Sequence, residues 1–183
     1  MKKKWTTFDL TKMALLSALL SISSYITIPL PLSSIGLTAQ TFVINLIALI
    51  LTPTQAISTV LVWIFIGTCG LPVFSGGRGG FFVLAGPTGG YMFGFLLAVY
   101  LISLLKGRSI CLKRYCLVTI GIGIPCIYLP GALFMYLQTS MNLKALVITA
   151  ILPYIPMDIV KCIGASAISI PLQRALVKIN TKK

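Results

Sequence analysis

The strongest chemical signal in this sequence is a pair of ionisable residues, Asp158 and Lys161, in the run PYIPMDIVK. A spacing of three puts both on one face of a helix. Their neighbours are apolar. Charged groups at membrane depth are costly and face a protein interior or a wet cavity. Such a pair can simply lock packing, or it can line a solute site; the second reading is favoured. The other carboxylate, Asp9, stands near a basic cluster ahead of the first apolar run. It reads as a water-exposed residue at a helix N-terminus. The chain has no histidine and five cysteines, Cys69, Cys111, Cys116, Cys126 and Cys162, with no CxxC spacing. No metal site and no cofactor are therefore expected. The cysteines read as small buried hydrophobes. No nucleophile–base arrangement appears, so the chain is not expected to be an enzyme.

A second signal is the phrase SGGRGGFFVLAGPTGGY, which holds seven glycines. Glycine lets backbone approach a ligand closely. There is no GxxxxGK[ST], and no GxGxxG opens a helix after a strand, so a nucleotide-binding role is not expected. Tyr91 closes the phrase and offers a ring face and a hydroxyl. Arg78 carries the one positive charge of this loop; it can attract an anion or simply be solvated. Gln40, read locally, is a cap or interfacial residue. Trp5 suits a membrane interface, and Trp63 a lipid or packing face.

The elements that position these residues follow from composition. Of 183 residues, 57% are hydrophobic and only 9% charged, and the mean hydropathy is +1.02. Soluble domains carry about 25% charged residues. Too little charge is available to cover a water-facing surface or to keep a chain disordered. An integral membrane protein of one domain, residues 1–183, is expected. Lysines 2 to 4 precede an apolar run, but that run is too long for a signal peptide and reads as a retained span.

Six apolar segments can be drawn: about Thr11–Leu30, Gln40–Leu51, Thr54–Leu71, Gly90–Leu105, Tyr115–Leu137 and Leu143–Leu172. The second is short for a span, but Pro53 argues against fusing it with the third. The net charge is +13, from 15 Lys+Arg against 2 Asp+Glu. The positives sit in short clusters between apolar runs, which argues against nucleic-acid binding. Six spans put twelve of the fifteen on one side, in the N-terminus, the loop Lys106–Arg114 and the C-terminus; the other side keeps Arg78 and Lys144, and Lys161 lies within a span. The positive-inside rule then places both termini in the cytoplasm. The Gly-rich stretch Gly70–Gly90, between helices three and four, becomes an outer loop, too Gly-rich for a helix and too long for a connector. Along the first segment Ala14, Ser17 and Ala18 form a small-residue face that lets another helix approach.

LPVFSGGRGGFFVLAGPTGGY resembles the third-to-fourth helix region of the biotin-specific substrate-binding (S) components of energy-coupling factor (ECF) transporters, the BioY family. PYIPMDIVK is similar to that family's P-x-x-P-x-D-x-x-K on the last helix. TAQTF is similar to its segment before helix two, and the run from Ala14 to Ala18 to its helix-one alanine motif. These motifs stand in the right order over nearly the whole chain.

The resemblance implies an all-α, multi-pass protein of the cell (cytoplasmic) membrane with six transmembrane helices and both termini cytoplasmic. It would bind biotin from outside and deliver it inward by toppling. Its partners would be a transmembrane coupling subunit, docked at Ala14 and Ala18, and two cytoplasmic ATPases, with the lipid bilayer around it. The implied binding residues are Gln40, Tyr91, Asp158 and Lys161, with backbone from the Gly76–Gly80 loop, hence Gly77, Gly79 and Gly80. Arg78 is included, although some relatives carry a polar residue such as Asn there. Biotin offers two ureido N–H donors, a carbonyl, an apolar ring and a carboxylate. Asp158 can accept from N–H, and Lys161 can serve a carbonyl or a carboxylate; which end they grip stays open. An S component for another vitamin, a solitary biotin carrier, a membrane enzyme and a structural scaffold are the competing readings.

Overall fold

The computed structural model of the protein describes residues 5–28, 36–107, 109–139 and 141–180. The basic positions 2–4, 108, 182 and 183, the end of the first segment and part of the loop 32–39 lie outside them. The chain is mostly helical. Helix α1 (Thr7–Ser23) opens on a capping box between Thr6 and Asp9. Lys12 lies 2.9 Å from Asp9. Lys12, with Thr6, holds the Asp9 carboxyl well below the usual carboxylate range. A pair of two-residue strands, β1 (Thr27–Ile28) and β2 (Leu37–Thr38), is antiparallel, a small exception to the all-helical expectation.

Helix α2 (Gln40–Ile50) lies at the centre, packed by α1, α3, α5 and α9. Eight of its eleven residues are buried, which explains a sequence apolar all round. Its C-terminal carbonyls are met by side chains: Lys106 Nζ donates to Ala48 O (3.0 Å), Leu49 O (2.7 Å) and Leu51 O (2.5 Å), Ser103 Oγ to Leu51 O (2.8 Å) and Gln173 Nε2 to Leu49 O (2.5 Å). A cation there satisfies orphan acceptors and complements the helix dipole. Helix α3 (Pro53–Thr68) restarts at once, with Pro53 in its first turn and a capping box between Thr52 and Gln55. Proline at that place breaks the helix between segments two and three.

Two expectations need correction. The stretch Gly70–Gly90 is not free of helix. Its Gly-free run FFVLA forms α4 (Phe81–Ala85), whereas LPVFS, with Pro72, does not become helical. The segment Leu143–Leu172 is not one helix. Helix α8 (Leu143–Ala150) ends in turns, and α9 (Ile155–Asn180) starts afresh. Pro153 disfavours helix at the residue before it and supplies no N–H, so the chain turns there.

Helix α5 (Gly89–Leu105) lies against α7 (Ile124–Gln138). Small residues set this distance: a Cβ on Gly94 would come within 2.8 Å of Ile127 Cα, and one on Gly131 within 2.5 Å of the Tyr91 ring. Close backbone approach through glycine is a common way for membrane helices to pack without a hydrophobic drive. Helix α6 (Leu112–Val118) runs into α7 through a π-turn, Thr119–Gly123. Pro125 follows directly, and a helix has to loosen where a proline removes an N–H.

Among the described residues two helical stretches are long and apolar enough to cross a bilayer, Leu112–Gln138 and Ile155–Ile179. Large apolar side chains stand on the outside, among them Phe65, Leu117, Leu129 and Leu137. Such a surface suits lipid and not water. Trp63, by contrast, is wholly buried, edge-on to Phe74 at 5.1 Å; it faces packing and not lipid. Of the five cysteines only Cys162 is buried, while Cys69 and Cys111 are exposed at helix ends. The buried reading fails for those two because each stands at an end of a helix, outside the packed middle.

Candidate functional site

A pocket of about 690 Å³, its open mouth included, lies at one end of the helices. Its wall is built from the start of α2 (Gln40, Thr41), the later part of α3 (Trp63), the start of α5 (Tyr91, Met92, Phe95), α7 (Ile127, Tyr128) and the start of α9 (Asp158, Lys161). The Gly-rich stretch contributes Ser75, Arg78, Val83 and Thr88. Gln40, Arg78, Tyr91, Asp158 and Lys161 thus come together around one space. Gly77, Gly79 and Gly80 are not among the lining residues. Their part is to turn the loop: Gly77 and Gly80 have φ of 69° and 99°, values that L side chains avoid. The loop is closed by Phe74 N–H to Arg78 O at 2.8 Å, which sets Arg78 at the rim. Ala14 and Ala18 lie elsewhere, on the exposed face of α1.

Asp158 and Lys161 form an ion pair of 2.8 Å, with side chains 8% and 12% exposed. The carboxylate is held by two further donors: Thr41 Oγ1–H reaches Oδ1 at 2.9 Å, and Tyr128 O–H reaches Oδ2 at 2.6 Å. Lys161 Nζ also donates to Thr38 O at 2.6 Å. Three helices therefore meet at one carboxylate, and β2 is tied to its lysine partner. A buried pair persists only where extra hydrogen bonds compensate its desolvation, and here they do. Tyr91 O–H donates to Ala150 O at 3.0 Å. Its ring stands edge-on to Tyr128, with centroids 6.4 Å apart.

What remains unused defines what the pocket wants. A carboxylate has about four lone-pair sites; two donors occupy Oδ1 and one occupies Oδ2, so Oδ2 keeps one acceptor site. Lys161 has used two of its three protons. Gln40 Nε2 and Trp63 Nε1 are buried without an acceptor among the described residues. Arg78 spends its Nε–H on Ser75 O (3.1 Å) and is otherwise exposed. The spare capacity is therefore several donors and one acceptor, with a fixed cation at the rim. That pattern fits a solute with a buried amide-like group and an outward carboxylate.

Behind the pair a polar seam continues along α9. Asn45 Nδ2 donates to Thr41 O (2.8 Å) and to Cys162 Sγ (3.4 Å), and Thr119 and Ser166 hydroxyls stand 3.4 Å apart. Thr41, Tyr128, Thr38 and Trp63 are among the pocket residues that sequence reasoning missed. Thr41 has a local signal, being next to Gln40 in TAQTF. Tyr128 has none, since its place depends on the π-turn and the α5–α7 packing.

The model of the BioY family matches residues 1–178. "Biotin transporter BioY" of Thermotoga maritima is 32% identical over 93% of this chain and 98% of its own length. "Probable biotin transporter BioY" of Pyrococcus horikoshii is 33% identical over 90% of this chain and 96% of its own. A crystal structure of the S-component for biotin from an ECF-type ABC transporter has the same fold. Its TM-score is 0.84 and its identity 24%, covering 93% of this chain and 95% of that one.

Proposed function

The chain belongs to the BioY family, and on that premise we propose that it is the biotin-binding S component of an ECF-type vitamin transporter and not an enzyme. The observation that carries this is the buried Asp158–Lys161 pair in a pocket with spare donors and one spare acceptor. One ureido N–H goes to the open site on Asp158 Oδ2. The third Lys161 proton goes to the ureido carbonyl. Gln40 Nε2 adds a donor on the same wall, and Tyr91, Phe95 and Met92 cover the apolar ring. The biotin carboxylate points to the exposed Arg78. Burying the uncharged ureido end and leaving the ionised end at the rim is the cheaper orientation.

Six spans, both termini in the cytoplasm and the Gly70–Gly90 loop outside belong to the same reading. Lys106, Arg114, Arg174 and Lys178 then lie on the cytoplasmic side, and the pocket opens outward. The exposed Ala14–Ala18 face of α1 docks the coupling subunit, which with two ATPases drives delivery inward. The test is uptake of labelled biotin by a biotin-requiring bacterial host that produces this chain with or without a coupling module. Uptake that needs the module supports the full reading. Uptake by the chain alone makes it a solitary carrier. Uptake of another vitamin in place of biotin keeps the architecture and discards the substrate.

A further inference from the structure

Trp63 is wholly buried, lines the pocket and has an indole N–H with no acceptor among the described residues. An unpaired N–H away from water costs much of a hydrogen bond, so a native fold keeps one only where something else supplies the acceptor. Its ring is fixed on two sides, edge-on to Phe74 at 5.1 Å and tilted against Phe95 at 6.3 Å. Indole is a donor only. The one carboxylate in the pocket, Asp158, is engaged by Thr41, Tyr128 and Lys161 and not by Trp63. A solute in the pocket can supply that acceptor. Arg78 at the rim takes the ionised end, so the group that meets Trp63 is an uncharged oxygen at the buried end.

We propose that Trp63 is a ligand-binding residue of this pocket, its indole N–H donating to the buried carbonyl oxygen of the bound solute. This rests on the biotin reading, in which that oxygen is the ureido carbonyl and Trp63 takes the lone pair that Lys161 leaves. Tryptophan at this position reads the presence of the oxygen, because a pocket built around a donor rejects a ligand that leaves it unpaired.

The experiment uses the full chain in detergent with Trp5→Phe, which leaves Trp63 as the sole tryptophan. Trp5 lies outside the pocket, at the exposed start of the chain. Calorimetric titration with biotin and the indole N–H proton resonance are read on the same sample. The expected result is saturable binding with a downfield move of that resonance. Trp63→Phe, checked for folding by thermal unfolding, binds biotin about three- to tenfold more weakly, the worth of one hydrogen bond between uncharged groups. It loses less against an analogue whose ureido oxygen is replaced by sulfur. Binding without any movement of the resonance overturns the proposal, as does a folded Trp63→Phe chain that binds like its parent. Where that variant does not fold, the resonance alone decides. Failure of biotin to bind the folded Trp5→Phe chain removes the functional reading itself and this inference with it, and the titration arm tells that case apart.

Discussion

Replacing Lys161 by Met separates the two jobs that the ion pair could do. The change removes a cation whose side chain is 12% exposed and leaves Asp158, 8% exposed, without its counter-charge. Breaking a buried pair from one side costs about 3–5 kcal/mol. Thr41 and Tyr128 still donate to the carboxylate at 2.9 and 2.6 Å, so the low end, about 3 kcal/mol, is expected here. For a chain of this size that lowers Tm by roughly 6–12 °C. Adding Asp158→Asn removes the stranded charge, and the double variant should regain most of the lost stability. Binding should not return with it. A hydrogen bond to a charged group is worth about 1.5–3 kcal/mol, so Lys161→Met should weaken biotin about ten- to a hundredfold. The double variant should bind at least as poorly. The assays are thermal unfolding in detergent and calorimetric titration, run on the same preparations. A double variant that is stable and binds biotin like the parent would show that the pair serves only packing, and the site assignment would fall.

Three further outcomes are expected. Tyr128→Phe keeps the ring against Tyr91 but deletes the 2.6 Å bond to Asp158. It should cost about 1.5–3 kcal/mol of stability, read from thermal unfolding, and weaken biotin measurably in the same titration. Gly131→Ala puts a methyl group within 2.5 Å of the Tyr91 ring at the α5–α7 contact. Overpacking of this kind costs about 1–3 kcal/mol, and biotin affinity should fall because Tyr91 is pushed into the pocket wall. Leu at Ala14 and Ala18 enlarges an exposed face; titrated biotin affinity should stay unchanged while module-dependent uptake in cells is lost.

The chemistry of this chain is more legible in its sequence than the architecture is. Asp158 and Lys161 stand out because a charged pair at helical spacing inside an apolar run is too costly to keep without a task. The break before α3 can be read from Pro53. The break inside the sixth segment is harder to see, because hydropathy alone runs smoothly through 143–172, although Pro153 announces it. Trp63 reads as a lipid or packing residue since nothing local distinguishes the two. Only the contacts of its ring with Phe74 of the loop and Phe95 of α5 bring it to the pocket wall. Tyr128 becomes visible only when three helices meet at one carboxylate. The Gly-rich phrase lies beside the pocket, which Ser75, Arg78, Val83 and Thr88 line, while Gly77 and Gly80 supply the turns.

The most direct test of the central reading is calorimetric titration of the purified, detergent-solubilised chain with biotin, with thiamine and riboflavin as controls. Saturable one-to-one binding of biotin alone is the predicted result. Binding of a control vitamin in place of biotin, or no binding by a chain shown to be folded, would contradict it.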